Sequence, residues 1–318
     1  EKVLETDGKQ EFVQPEIEDL IIARNTIFCP QQEDLHFQKE IYSEKDALFV
    51  KENIRLRAVY SKKRLLFGNK IRLLRWADAE HAVAVYDECD LGERVSSGEQ
   101  LVIGFENVFH SLYAPVIRLG QRPEEPDRFM DGRDPRIFRM PVMNSHEYNR
   151  HYIDDDMVTE GGTVPYTIIS RGDIKVIEDI ILQGDIHSDG AVRIMENASV
   201  LGNIFAENDI LLEKNATVLG NIFTQGNIIF EEGASAGQPH KIISVVARGT
   251  IYGGNNIYGY VVSEGGGKIL KSDREVLREY CFPREPVHEE KIHPGFHPDA
   301  PDAGGGDHLQ YHLLCGFG

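Results

Sequence analysis

Between Ile168 and Ser235 one sequence pattern returns every 18 residues. Leu182-Gln-Gly-Asp-Ile186 comes back as Val200-Leu-Gly-Asn-Ile204 and again as Val218-Leu-Gly-Asn-Ile222. Gly184, Gly202 and Gly220 align, as do Val192, Ile210 and Ile228, then Ile194, Leu212 and Phe230. Ala198, Ala216 and Ala234 complete the set, and Ile168, Ile174, Val176 and Ile180 occupy matching places one copy earlier, without the glycine. A shorter period runs inside each unit. Eleven apolar or small residues, from Ile174 through Ile180, Ile186 and Val192 to Ala234, follow one another at steps of six. A helix would space them by three and four. A step of six fits a chain that turns a corner after each short strand, three sides to a coil. Gly, Asn and Asp near the corners tolerate left-handed backbone angles.

The expected fold class is therefore all-β, a parallel β-helix of about 18 residues per coil in two tracts, with an irregular insertion and a flexible C-terminal tail. In the N-terminal half Leu56, Leu73, Leu91 and Phe109 are separated by 17, 18 and 18 residues, and Val50, Phe67, Val85 and Ile103 take the same steps. Ile54, Ile71 and Cys89 follow, which makes Cys89 a core residue. The domain reading is an irregular lead-in over 1–44, an N-terminal β-helical tract over 45–119 and an insertion or hinge over 120–164. A second β-helix covers 165–262, a short capping-helix region 263–283 and a flexible tail 284–318. Ser272-Asp-Arg-Glu275 is a capping box for that helix, and Pro283 stops it.

Composition narrows the function. The 34 basic and 52 acidic residues leave a formal charge of −18, which repels a polyanion and argues against nucleic acid as a partner. No apolar run approaches the roughly 20 residues of a membrane helix, and no signal or transit peptide is legible. The expected location is the cytoplasm, within reach of a membrane surface. Cys29, Cys89, Cys281 and Cys315 lie far apart, which fits reduced thiols and not a zinc site or disulfide framework.

Motifs that carry chemistry are few. Asp154, Asp155 and Asp156 are three carboxylates in a row, yet consecutive residues rarely converge on one cation. His288, His293, His297, His308 and His312 follow no helical spacing and read as a polar tail. Glu264-Gly-Gly-Gly-Lys268 lacks the first glycine and the following Ser or Thr of a phosphate loop. Asn197-Ala-Ser199 and Asn215-Ala-Thr217 match the glycosylation sequon but are the same corner in two coils. No catalytic, cofactor-binding or metal-binding residue is expected, and the chain reads as a non-enzyme without cofactors.

The units Val200-Leu-Gly-Asn-Ile-Phe-Ala206 and Val218-Leu-Gly-Asn-Ile-Phe-Thr224 resemble the core of bactofilins, the bacterial polymer-forming cytoskeletal proteins. The resemblance spans residues 165–262, roughly a third of the chain. It implies a right-handed helix, polymerisation through the helix ends without nucleotide, and a scaffold role in organising envelope or cell-shape machinery. The long N-terminal β-helical region departs from the family pattern of one short β-helix with tails. The alternative is a hexapeptide-repeat acyltransferase, a left-handed trimer with the same six-residue period, in which His187 is the in-coil candidate for the base. A β-helical carbohydrate-active enzyme is a third reading and would need a site in the insertion.

Two surfaces are singled out. An uncovered coil end templates further strands, so the last apolar strand supplies Tyr258, Tyr260 and Val262 as expected self-association residues. From Lys51 to Arg75 nine basic residues accompany one acid, Glu52. Arg55, Arg57, Lys62, Lys63, Arg64 and Arg72 are the expected basic surface, docking an anionic membrane or an acidic partner. The expected partners are further copies of the chain and envelope or wall-associated proteins.

Overall fold

The computed structural model describes residues 3–7, 12, 15–28, 34–123, 162–253 and 256–270. It is an all-β parallel solenoid of about 12 turns with roughly 18-residue spacing. Among the described residues 29 strands join one continuous sheet, and every pairing between named strands is parallel except one. In the C-terminal tract Ile186 pairs with Ile204, Ile204 with Ile222 and Ile222 with Val245, while Val192, Ile210, Ile228 and Ile251 form the next ladder. Ile204, Ile210, Ile222 and Ile228 are each 0% exposed, as the six-residue step requires of residues that face the axis.

The recurrent Gly-Asn-Ile step has a physical explanation. A Cβ on Gly184, Gly202 or Gly220 would lie 2.2–2.3 Å from a carbonyl oxygen of the preceding coil, so only glycine lets the coils approach there. The next residue forms a polar ladder. Asp185 Oδ1 accepts the Asn203 backbone N–H at 2.6 Å and its side-chain amide at 3.0 Å. Asn203 Oδ1 accepts the same two groups of Asn221 at 2.9 and 3.0 Å, and Asn221 Oδ1 accepts the Ser244 N–H at 2.8 Å. At another corner the buried hydroxyls of Ser188 and Ser263 donate to the carbonyls of Gly172 and Gly249, at 2.8 and 2.7 Å. These bonds satisfy corner groups that strand pairing leaves over.

One corner recurs in the left-handed region from coil to coil. Asp179, Asn197, Asn215 and Gly233 adopt it in the C-terminal tract, and Asp34, Asn53, Lys70, Glu88 and Glu106 in the N-terminal tract. The residue after each points inward. Ala198, Ala216 and Ala234 fill that slot in one tract, and Leu35, Ile54, Ile71 and Cys89 in the other.

Several boundaries move. The described residues of 1–44 are not an irregular lead-in: Val3–Thr6 pairs with Leu20–Ala23, which pairs with the strand His36–Ser43. Periodicity misses them because the step from Val3 to Leu20 is shorter than the step from Ile21 to Ile41. Part of the difference in coil length is taken up inside the strands, as register shifts between Phe37 and Glu40 and between Leu56 and Ala58. Phe49, not Val50, pairs with Phe67 and fills the core, and Val50 is exposed. The second tract begins at Thr163 and runs through Lys268, so 263–268 is strand and not the start of a cap. The expected helix after Ser272, the tail 284–318 and most of the insertion, 124–161, lie outside the described residues.

The two tracts meet at their closing ends. Val108–Leu119 is the last coil of the first tract and Asn256–Lys268 the last coil of the second, each one long strand bent round the solenoid. They pair antiparallel. The chain leaves this junction after Leu119 and re-enters at Thr163, at the far end of the second tract, before winding back to it.

Candidate self-association surfaces

The junction is built from both closing strands. Leu112 lies opposite Val261, Tyr113 opposite Tyr260, Ala114 opposite Gly259 and Ile117 opposite Ile257, with register shifts between Phe109 and Ser111 and between Ala114 and Ile117. Leu112, Ala114, Ile117, Ile257 and Val261 are buried, so one hydrophobic core continues from tract to tract. Gly267 makes room for Phe109, since a Cβ there would sit 2.0 Å from the ring. Gly259 has φ 139°, and a Cβ on it would lie 2.0 Å from the Ile243 carbonyl oxygen. Outside the core, the Tyr113 and Tyr260 rings stack with centroids 4.2 Å apart. The Tyr113 hydroxyl beside it raises the pKa of Tyr260 above the usual phenol value.

This placement corrects the expectation for Tyr258, Tyr260 and Val262. Their strand is not an open end, because Val108–Leu119 of the same chain covers its backbone edge. The covering strand belongs to the other tract, and antiparallel pairing across the whole of the second tract leaves no repeat in the sequence. Tyr260 and Val262 remain exposed through their side chains.

The basic run is also redistributed. Arg57 meets Glu40 at 3.1 Å, Lys62 meets Glu44 at 3.7 Å, Arg64 meets Asp46 at 2.8 Å and Arg72 meets Asp90 at 3.8 Å. Each partner comes from an adjacent coil. Burial works to raise the Asp46 pKa, but the Arg64 hydrogen bonds and charge outweigh it and hold the carboxyl below its ordinary value. Burial acts the same way on Glu40, outweighed by its own backbone N–H and by Arg57. Arg55 stacks over Arg72 and shares a groove with Glu16, Asp34, Glu88 and Asp90. Lys63 sits at the corner before Arg64. The six cations do not form one face, and four of them are partnered.

A third surface is visible in the sequence only as a slot holding His187, Phe205 and Phe223. These rings point outward and stack coil upon coil, His187 on Phe205 at 4.8 Å and 10°, Phe205 on Phe223 at 5.3 Å and 8°. Register extends the column to Ile169 on one side and to Val246 and Val262 on the other. It floors a shallow groove of about 540 Å³. The signal is the outward position of each strand, apolar or aromatic in six successive coils where a solvent-facing residue would be polar.

Asp154, Asp155, Asp156 and the tail histidines lie outside the described residues. Among the described residues no group of three or more His, Cys, Asp or Glu is placed to hold a metal ion. No helix among them is long and apolar enough to cross a membrane. Comparison with protein-family models, with curated proteins and with solved structures finds no match for this chain.

Proposed function

We propose that the chain is a non-enzymatic scaffold that assembles end to end without nucleotide, as its resemblance to bactofilins implies, and that it organises envelope or cell-shape machinery. The junction between the two tracts carries this reading. It is an end-to-end solenoid contact realised inside one chain, with paired backbone edges and a continuous core. A solenoid end of this composition accepts another solenoid end. Among the described residues Val3–Thr6 and Ile168–Ser170 each pair with one strand, so the first coils of the two tracts are the edges proposed for further assembly. Assembly through them joins like or unlike first coils, with partners of the same chain.

A β-solenoid serves acyltransferases as well as scaffolds. What favours the scaffold is the use of the repeated positions: Gly184, Gly202 and Gly220 set the approach of the coils, Asp185, Asn203 and Asn221 bond one coil to the next, and the His187 ring stacks on Phe205. Electron microscopy of the full chain tests the reading. About 12 turns at ~4.8 Å make a rod of about 60 Å, so assemblies should have lengths in multiples of that unit, with or without ATP or GTP. Glu5→Pro puts proline in an outermost strand, where it blocks further pairing, and should shorten the particles. Single rods at every concentration up to about 100 µM, a range that covers weak association, would overturn the proposal.

A further inference from the structure

The outward column from Ile169 to Val262 runs the length of the C-terminal tract, about 24 Å at ~4.8 Å per coil. Ile169, Phe205 and Val262 are exposed. Contiguous exposed apolar surface of this kind marks an interaction site. The residues beside it identify the occupant. Two positions further along each strand lies a second column, in coil order Arg171, Asp189, Glu207, Gln225, Arg248 and Glu264, on the same outer side of the coils.

We infer that this face docks a second copy of the same chain, side by side and antiparallel, about a two-fold axis that passes between the coils of Phe205 and Phe223. Such an axis, lying in the interface across the strands, sets each column against itself in reverse order. Phe205 then meets Phe223 of the partner copy, His187 meets Val246 and Ile169 meets Val262. In the flanking column Arg171 meets Glu264, Asp189 meets Arg248 and Glu207 meets Gln225. Every charged residue faces an opposite charge or an amide. On the opposite flank Asp185 meets the Ser244 hydroxyl and Asn203 meets Asn221, with no like charges opposed.

The parallel arrangement is disfavoured by the same two flanks. It would set the two flanks against each other at equal height and bring Asp189 against Asp185. Like charges at an interface disfavour that partner. The face is narrow, at the low end of interface sizes, so the association is weak and concentration-dependent. It differs from the end-to-end contact, using a side of the solenoid and none of its terminal edges.

The test exchanges charges that lie three coils apart within one chain and touch only between copies. Asp189→Arg alone sets like charges against each other at both symmetry-related contacts, and so does Arg248→Glu alone. Mixed, the two variants form a heterodimer in which one contact pairs the two introduced charges, opposite in sign, and the other pairs the two original ones. Sedimentation velocity of the full chain from about 1 to 100 µM should show dimerisation, weakened about tenfold in each variant and restored in the mixture. Unchanged thermal melting keeps loss of fold out of the comparison. A parent chain without side-by-side dimers at 100 µM, single variants that associate like the parent, or a mixture no tighter than its components would each overturn the inference.

Discussion

The two tracts solve one architectural problem with different residues. At the left-handed corner the C-terminal tract places Asn197, Asn215 and Gly233, which adopt that backbone with little strain, and fills the slot inside with alanine. The N-terminal tract places Lys70, Glu88 and Glu106 in the same conformation and fills the inner slot with Ile71, Cys89 and Asn107. Its coils also vary in length, whereas Ile168, Ile186, Ile204 and Ile222 follow one another at a constant step. Strand pairing nevertheless continues through both, with register shifts between Phe37 and Glu40 and between Leu56 and Ala58 in the first. Backbone ladders and inward apolar side chains hold a solenoid together, and corner chemistry decides only how regular it looks in sequence.

The largest effect should separate true core positions from apparent ones. Ile210→Asp buries a charge with no partner, costs about 3–5 kcal/mol and unfolds the C-terminal tract in a urea melt. Val50→Asp, at a position that spacing alone assigns to the N-terminal core, should change stability by less than about 0.5 kcal/mol, because Val50 is exposed. Glycines sharpen the contrast. Gly202→Ala forces a methyl within 2.3 Å of a carbonyl oxygen and should cost about 1–3 kcal/mol, whereas Gly172→Ala, with nothing within 4 Å, should be nearly neutral.

The junction can be broken without disturbing either tract's own ladders. Gly267→Ala collides with the Phe109 ring and should cost about 1–3 kcal/mol. Faster hydrogen exchange in Val108–Leu119 and Asn256–Lys268, with the remaining coils unaffected, is the expected signature. Alkali probes the core of the N-terminal tract through Cys89. Burial pushes the Cys89 thiol up to about 12 from an ordinary value of 9.0. The native state therefore holds this proton more tightly than the unfolded chain. Its contribution is intact below pH 9 and is lost as pH climbs towards 12. Iodoacetamide should not modify Cys89 in the folded protein at pH 9, and Cys89→Ala should flatten the alkaline loss of stability. The smallest effect belongs to the corners: Glu88→Gly should gain about 0.5–1 kcal/mol by relieving a left-handed glutamate, and Asn197→Gly should gain almost nothing.

How far the sequence can be read follows from this contrast. The C-terminal coils are legible because every corner between Ile168 and Ser235 consumes the same number of residues, so inward positions recur at a fixed step. Spacing misassigns Val50 because the step that links Leu56 to Leu73 is one residue shorter than the step that links Phe49 to Phe67. The cations from Lys51 to Arg75 look bare when charge is counted along the chain, whereas neighbours in a solenoid lie one coil away. Arg64 and Asp46, a full coil apart in sequence, are 2.8 Å apart in space. Tyr258, Tyr260 and Val262 do belong to the last strand. Their cover is invisible because pairing with Val108–Leu119 depends on no repeat and no motif.

The position of the junction also dictates an order of events during synthesis. The first tract is complete once Leu119 has been made, but the strand that covers its closing edge ends only at Lys268. At about 5–20 residues per second a ribosome needs on the order of ten seconds or more to make that interval. Throughout it, a finished stack of strands presents Leu112, Ala114 and Ile117 together with an unpaired backbone edge. The second tract grows towards that edge from the far side and supplies its cover last. A nascent chain of this protein therefore carries a sticky surface for much of its translation, and neighbouring ribosomes on one message hold many such surfaces close together. Slow translation between Leu119 and Lys268 should raise the yield of misassembled chains more than slow translation of any stretch before it.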